Sequence, residues 1–164
     1  MFREMRRSRQ SLTDQESIIL LEEGSSGVLA VAGDDGYPYA VPLSYVYDSG
    51  SRAVYFHCAL SGHKLDAVHK NPKVSFCVIG QDQVVPEEYT TYYRSVIVFG
   101  TVCVIEDQAE KTAAANKLAE KYTPDDTKEQ RQKVVEESLS RMHMLKLQIE
   151  HMTGKESIEL KNLQ

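Results

Sequence analysis

The chain has 164 residues, about one domain's worth at ~100–200 residues each, and enough to bury a core without disulfide staples. Its make-up, 41% hydrophobic and 26% charged with nine glycines and five prolines, excludes collagen, a disordered tail and a coiled coil. Nineteen basic residues against 24 acidic ones leave a net charge of −5, a poor footprint for gripping nucleic-acid phosphates.

From the N-terminus, MFREMRRSRQ is basic but has no apolar segment behind it, so it does not read as a signal peptide, and Arg3, Arg6, Arg7 and Arg9 are either a solvated run or contacts to phosphate or substrate across a dimer. Thr13 stands three residues before Glu16, Ile18-Ile19-Leu20-Leu21 forms an apolar stripe, and Gly24 ends it. A capping box, a buried face and a glycine stop predict a helix over 14–23. Val28 to Ala32 is a short apolar run closed by the turn Gly33-Asp34-Asp35-Gly36. Tyr37 to Tyr47 and Ala53 to Cys58 follow, separated by Asp48-Ser49-Gly50-Ser51. These three strands with tight turns predict an antiparallel meander. Pro38 and Pro42 cannot donate to a ladder, so the second strand is either a plain edge or a backbone left open for a ligand.

Leu65 to Lys70 reads as a short helix closed by Asn71-Pro72, and Lys73 to Ile79 as a strand ended by Gly80. A polar loop from Gln81 to about Thr91 leads to a long strand, Tyr93 to Ile105. Val96, Val98, Gly100 and Val102 share one face of it and Ile97, Phe99, Thr101 and Cys103 the other, so it should be central. Gln108 to Lys121 is an alanine-rich helix stopped before Thr123-Pro124, and a more charged helix runs from Asp126 to about Leu139. Met142 to Glu150 alternates as a sixth strand, with Thr153-Gly154 as the turn out. The expected fold is mostly β with helices (α+β): one domain over 1–164, a six-stranded antiparallel barrel with an N-terminal helix and a helical pair before the last strand.

No apolar run approaches the ~18 residues of a membrane span. Cys58, Cys77 and Cys103 are too few and too scattered for a disulfide framework, and reduced thiols in a cytoplasmic protein are expected. His57, His63 and His69 recur every six residues, a spacing that suits neither a helix face nor a strand face, so no metal site is expected. No Gly-x-Ser-x-Gly elbow, Gly-x-Gly-x-x-Gly or Walker motif occurs. Ser61-Gly62-His63-Lys64 is a small turn opening onto a helix. It is either an anion site, with free N–H groups, a hydroxyl and positive charge, or an ordinary cap followed by a solvated lysine. Nine tyrosines and no tryptophan, clustered from Tyr37 to Tyr55 and from Tyr89 to Tyr93, either cover a barrel rim or wall a planar ring.

In order, Tyr37-Pro38-Tyr39-Ala40-Val41-Pro42-Leu43, Tyr55-Phe56-His57-Cys58-Ala59, Gly62-His63-Lys64, Asn71-Pro72-Lys73-Val74 and Tyr93-Arg94-Ser95-Val96-Ile97-Val98-Phe99-Gly100 resemble the pyridoxamine 5′-phosphate oxidase-like flavin-binding split barrels. Within them the chain is most similar to the nitroimidazole-resistance (Nim) proteins, over roughly residues 5 to 155. The resemblance implies a homodimer with FMN at the subunit interface. It implies flavin contacts from Val41, Pro42, Leu43 and Ser44, a ribityl or ring lining from Phe56, His57, Cys58 and Ala59, and a phosphate grip from His63 and Lys64. Ser95 and Val96 would approach the flavin from the other side, and His57 would face the substrate. True pyridoxamine 5′-phosphate oxidases end in an arginine-containing segment that holds their substrate, whereas this chain reads Lys161-Asn162-Leu163-Gln164, which argues against pyridoxamine phosphate.

The expected activity is therefore FMN-dependent reduction of a small planar acceptor, nitroaromatic or nitroimidazole-like, at the flavin, with NAD(P)H one candidate donor. His57 would supply a proton, as befits the side chain type that titrates near neutral pH. The loop over 81–92, with Tyr89 and Tyr92, is the candidate lid. The alternative is a non-catalytic flavin- or haem-binding protein of the same fold.

Overall fold

A computed structural model of the chain describes residues 1–163; Gln164, at the end of the terminal segment quoted above, lies outside them. Helix α1 (Asp14–Glu23) starts on the predicted capping box: the Thr13 N–H donates to the Glu16 carboxylate at 2.7 Å and the Glu16 N–H to Thr13 Oγ1 at 3.2 Å. Strands β1 (Ser26–Ala32), β2 (Pro38–Ser44), β3 (Val46–Asp48) and β4 (Ala53–Ala59) precede α2 (His63–Lys70). Strands β5 (Lys73–Val85) and β6 (Thr90–Val104) lead to α3 (Gln108–Tyr122) and α4 (Lys128–Ser138), and β7 (Met142–Glu156) to a short α5 (Ile158–Asn162).

The seven strands form one antiparallel sheet in the order β2-β1-β5-β6-β7-β4-β3. β2 and β3 stand at opposite ends of this order, yet Tyr45 alone separates them in sequence, so the sheet curls until its two edges meet. The count is therefore seven rather than the expected six, because the predicted second strand breaks at Tyr45. That residue is fully buried, its ring packs edge-on to Phe76 at 5.0 Å, and its hydroxyl donates to Leu21 O at 2.8 Å. Turning this side chain into the core takes the chain from one sheet edge to the other. Tyr122 of α3 laces the seam, accepting from the Tyr45 N–H at 3.0 Å while its hydroxyl donates to Ser25 O. β2 is an edge strand, as the prolines require, and its pairing with β1 is unbroken from Pro38 to Ser44.

The barrel interior is built from alternate residues such as Leu29, Phe56, Phe76, Val98 and Leu147, joined by Leu21 of α1 and Leu65 of α2. A second core lies outside the barrel, where α3 and α4 cover Ala53, Tyr55 and Met144 of β4 and β7 with Ala115, Leu118 and Val135. Strand β6 is central, between β5 and β7. Its outward face is not covered by this chain's helices: Ile97 and Phe99 stay exposed beside Val28 and Ile79, and Phe2 of the N-terminal segment stacks on His151 at 4.6 Å.

Two local expectations are corrected. Residues 81–92 are not a loop: β5 runs to Val85 and pairs with β6 through Gln81↔Arg94 to Val85↔Thr90, past a register shift at Gly80. A ribbon wet on both faces needs no apolar alternation, and its ladder satisfies the backbone, so its polar sequence reads like a loop. Nor does Thr153-Gly154 turn the chain out. β7 continues to Glu156, and Gly154 passes under the N-terminal segment, where an added Cβ would lie 2.2 Å from Ser17 Oγ. Among the described residues, the cysteines are free, no three His, Cys, Asp or Glu side chains cluster as metal ligands, and no helix is long and apolar enough to cross a membrane.

Candidate functional site

The outward side of β4 leads from the second core to the N-terminus of α2. Along it Tyr55 is buried under the helical pair, while His57 and Ala59 emerge exposed, and Ser61-Gly62 then turns the chain into α2. Gly62 caps the helix with φ +137°, a region L side chains rarely adopt, and nothing lies within 4 Å of the place a Cβ would take. The helix begins on open space with its first N–H groups lacking intrahelical partners. Tyr39, Ala59, Ser61 and Lys64 line the resulting concavity of about 180 Å³.

Charge at this turn is arranged by residues far apart in sequence. The His63 ring stacks on Tyr39 at 4.2 Å between centroids, and its Nε2 lies 3.5 Å from the Asp34 carboxylate. Asp34 also accepts from the Lys70 ammonium at 2.9 Å, which, with a lesser influence from His63, holds its carboxyl below the usual range. The β1–β2 turn thus clamps both ends of α2. With its imidazole engaged, His63 offers an anion chiefly its main-chain N–H, and Lys64 is the cation free of an ion pair. Burial pushes the Cys58 thiol up while the nearby Lys64 ammonium pulls it down. Cys58 is accordingly a packed, protonated thiol.

At the other end of the same stretch, His57 lines an apolar pocket of about 370 Å³ together with Ser44 of β2, Met142 and Met144 of β7, and Leu118 of α3. The register puts His57 opposite Met144 on the outer face. Of its eleven lining residues the sequence singled out only Ser44 and His57 for the site; Tyr122, Met142 and Met144 are among those it did not. Strict alternation of Met142 and Met144 with buried Leu145 and Leu147 was the available signal for their shared outward face.

The expected site residues fall into three groups. Pro42 and Ser44 on β2, His57 and Ala59 on β4, and the Ser61–Lys64 turn share one outward region around the barrel seam. Val41 and Leu43 pack partly against the barrel core, and Phe56 and Cys58 lie within it, so their main chains rather than their side chains face outward partners. Ser95 and Val96 are not brought to this region within one chain. Strands β1 and β5 separate β6 from β2, β7 separates it from β4, and the Val96 side chain is fully buried. Ser95 instead lines a different outer-face pocket of about 480 Å³ with Phe2, Ile97, Phe99 and His151.

A profile of the pyridoxamine 5′-phosphate oxidase family matches residues 13–156. Among solved structures, the chain is similar to a candidate 5-nitroimidazole antibiotic resistance protein of Bacteroides thetaiotaomicron, with 21% identity, a TM-score of 0.74, and coverage of 88% of this chain and 85% of that one. A conserved hypothetical protein of Mycobacterium tuberculosis aligns at 17% identity and TM-score 0.79, over 93% and 90% of the two chains. An FAD- and haem-binding protein of Mycobacterium smegmatis aligns at 23% identity and TM-score 0.72, over 91% and 73%. At these identities the likeness is one of fold. No functionally curated protein sequence matches the chain significantly.

Proposed function

This chain belongs to the pyridoxamine 5′-phosphate oxidase family, a flavin-binding family, and from that premise we propose that it is an FMN-dependent oxidoreductase that reduces a small planar acceptor, working as a homodimer. The observation that carries the reading is the continuity of one outward strip of β4. The open turn Ser61–Lys64, with its lysine, lies at one end, and a histidine facing an apolar pocket lies at the other. A flavin phosphate suits the turn: Gly62 leaves room, the helix start offers unpaired N–H groups, and Lys64 adds charge. Pro42 and Ser44 would lie along the ring. Ser95 would complete the site from the partner subunit, whose approach the uncovered outer face of β6 invites.

FMN, held by the Ser61–Lys64 turn and β2, would supply the hydride, with NAD(P)H as its electron source. His57 supplies the proton: a nitro group that takes up one hydride and one proton becomes a nitroso group and releases water. Leu118 of α3 and Met142 of β7 would offer the acceptor ring apolar walls beside the imidazole. The nitroimidazole-resistance relative supports the acceptor class, and the FAD- and haem-binding relative supports a second reading as a cofactor carrier.

The purified protein's visible spectrum tests the cofactor. A flavin spectrum bleached by NADH or NADPH without oxygen and restored by a nitroaromatic is expected, whereas a Soret band favours the carrier. Lys64→Ala should weaken FMN by about 1.5–3 kcal/mol, roughly ten- to a hundredfold in Kd, through loss of a charge-assisted contact. His57→Ala should leave FMN binding intact and depress turnover; unchanged turnover removes His57 from the mechanism.

A further inference from the structure

The pocket at His57 has a chemical character of its own. Its eleven lining residues include no lysine, arginine, aspartate or glutamate. Of its hydroxyls, that of Tyr122 is committed to the barrel seam and that of Ser138 donates to Val134 O within α4, which leaves Ser44 and His57 as the polar handles. The three lysines of α3 are all engaged elsewhere. Lys111 donates to Leu139 O, Lys117 pairs with Asp48, and Lys121 donates to Gly24 O while sitting over the Tyr45 ring. None of the lining residues is a cation that could meet an anion in the pocket, and burying an unpaired charge is strongly unfavourable. At about 370 Å³ the space lies near the lower bound of small-molecule sites, enough for a single ring system. The flexible, polarisable thioether of half-buried Met142 suits a flat aromatic surface, and Met144 packs directly beneath the pocket.

We propose that the pocket between the α3–α4 pair and the outer face of β4 and β7 selects the acceptor by charge: it admits an uncharged, mainly apolar aromatic ring and rejects carboxylated or phosphorylated analogues. The inference rests on the reading of His57 as the residue that faces the acceptor, and it makes the helical pair the determinant of specificity. Anion recognition is thereby confined to the Lys64 turn, and the two ends of the β4 strip sort a charged tail from a neutral ring.

Methionine-methyl ¹³C NMR tests this without turnover. The probes are nitrobenzene and 4-nitrobenzoate, which differ by one carboxylate, titrated with and without FMN. The Met142 and Met144 methyl resonances should move with nitrobenzene, those of Met1, Met5 and Met152 should stay, and 4-nitrobenzoate should need at least about tenfold more ligand. Val134→Lys, at an exposed rim position of the pocket, should bring 4-nitrobenzoate binding back up by about tenfold. Equal response to both probes, no response to either, or displacement of nitrobenzene from these methyls by FMN itself would overturn the proposal. A response to nitrobenzene in a protein that binds no flavin would uphold the pocket's selectivity and sink the flavin reading. Flavin binding with silent methyls would do the reverse.

Discussion

Glu156 is fully buried at the end of β7, and cations from two other elements hold its carboxylate. Arg94 Nε donates to Oε2 at 2.9 Å, while Oε1 has only the Lys161 ammonium at 3.4 Å, an ion pair without a hydrogen bond. Sequence position hides this cluster, because its members lie on β6, β7 and α5. Glu156→Gln keeps the shape and removes the charge that both cations face, so it should cost about 1–3 kcal/mol, read as a lower urea midpoint at unchanged slope. Asp48 is a second residue with a defined electrostatic task. Lys117 of α3, and then Ser51, which donates from Oγ at 2.6 Å, hold its carboxyl below the usual aspartate range. The stability this contributes is present above the ordinary aspartate value and is lost as pH falls through the depressed one. Asp48→Asn should therefore cost about 1 kcal/mol near neutral pH, and the gap to the unaltered protein should close below about pH 4, as followed by thermal melts across pH.

Among the elements, those with strong local signals match their predictions. The capping box sets the start of α1, the Asn71-Pro72 pair ends α2, and the alanine-rich α3 stops at Tyr122. The elements that differ do so because a partner from elsewhere in the chain overrides the local pattern. Tyr45 splits a strand because Phe76 and Leu21 receive it, and Gly154 stays in β7 because its missing side chain lets Ser17 and Leu12 pack onto the strand. Tyr122 joins α3 to the barrel seam and also lines the pocket beside His57. Tyr122→Phe leaves the Tyr45 N–H without its acceptor and should cost about 1–3 kcal/mol. Hydrogen exchange should quicken at the β2–β3 corner while the far strand pair, β5 and β6, keeps its protection.

For the whole molecule, the outward face formed by Val28, Ile79, Ile97 and Phe99 is the feature that one chain leaves unfinished. Contiguous exposed apolar side chains on a central strand mark an interaction surface, and the proposed dimer would cover them. The same pairing would bring Ser95 towards the partner's β4 strip, from which it is separated in its own chain. Ile97→Glu should convert a sedimenting dimer to a monomer and abolish flavin binding together with it. Dimerisation unaffected by this change would place the interface elsewhere.

By itself the sequence determined the class of fold and the order of its elements, because caps, glycine and proline stops, and alternation of apolar residues act within a few neighbours. It also pointed to the two short motifs beside the candidate site, Phe56 to Ala59 and Ser61 to Lys64, since their residue types stand next to one another in the chain. Tertiary structure alone decided which of those side chains face outward, that the His63 ring is taken up by Tyr39 and Asp34, and that α3 and α4 build a wall without charge beside His57. It also decided that residues 81–92 form a paired ribbon rather than a polar loop. These outcomes depend on contacts between segments tens of residues apart, whose energies appear only when the sheet curls and its edges meet at Tyr45.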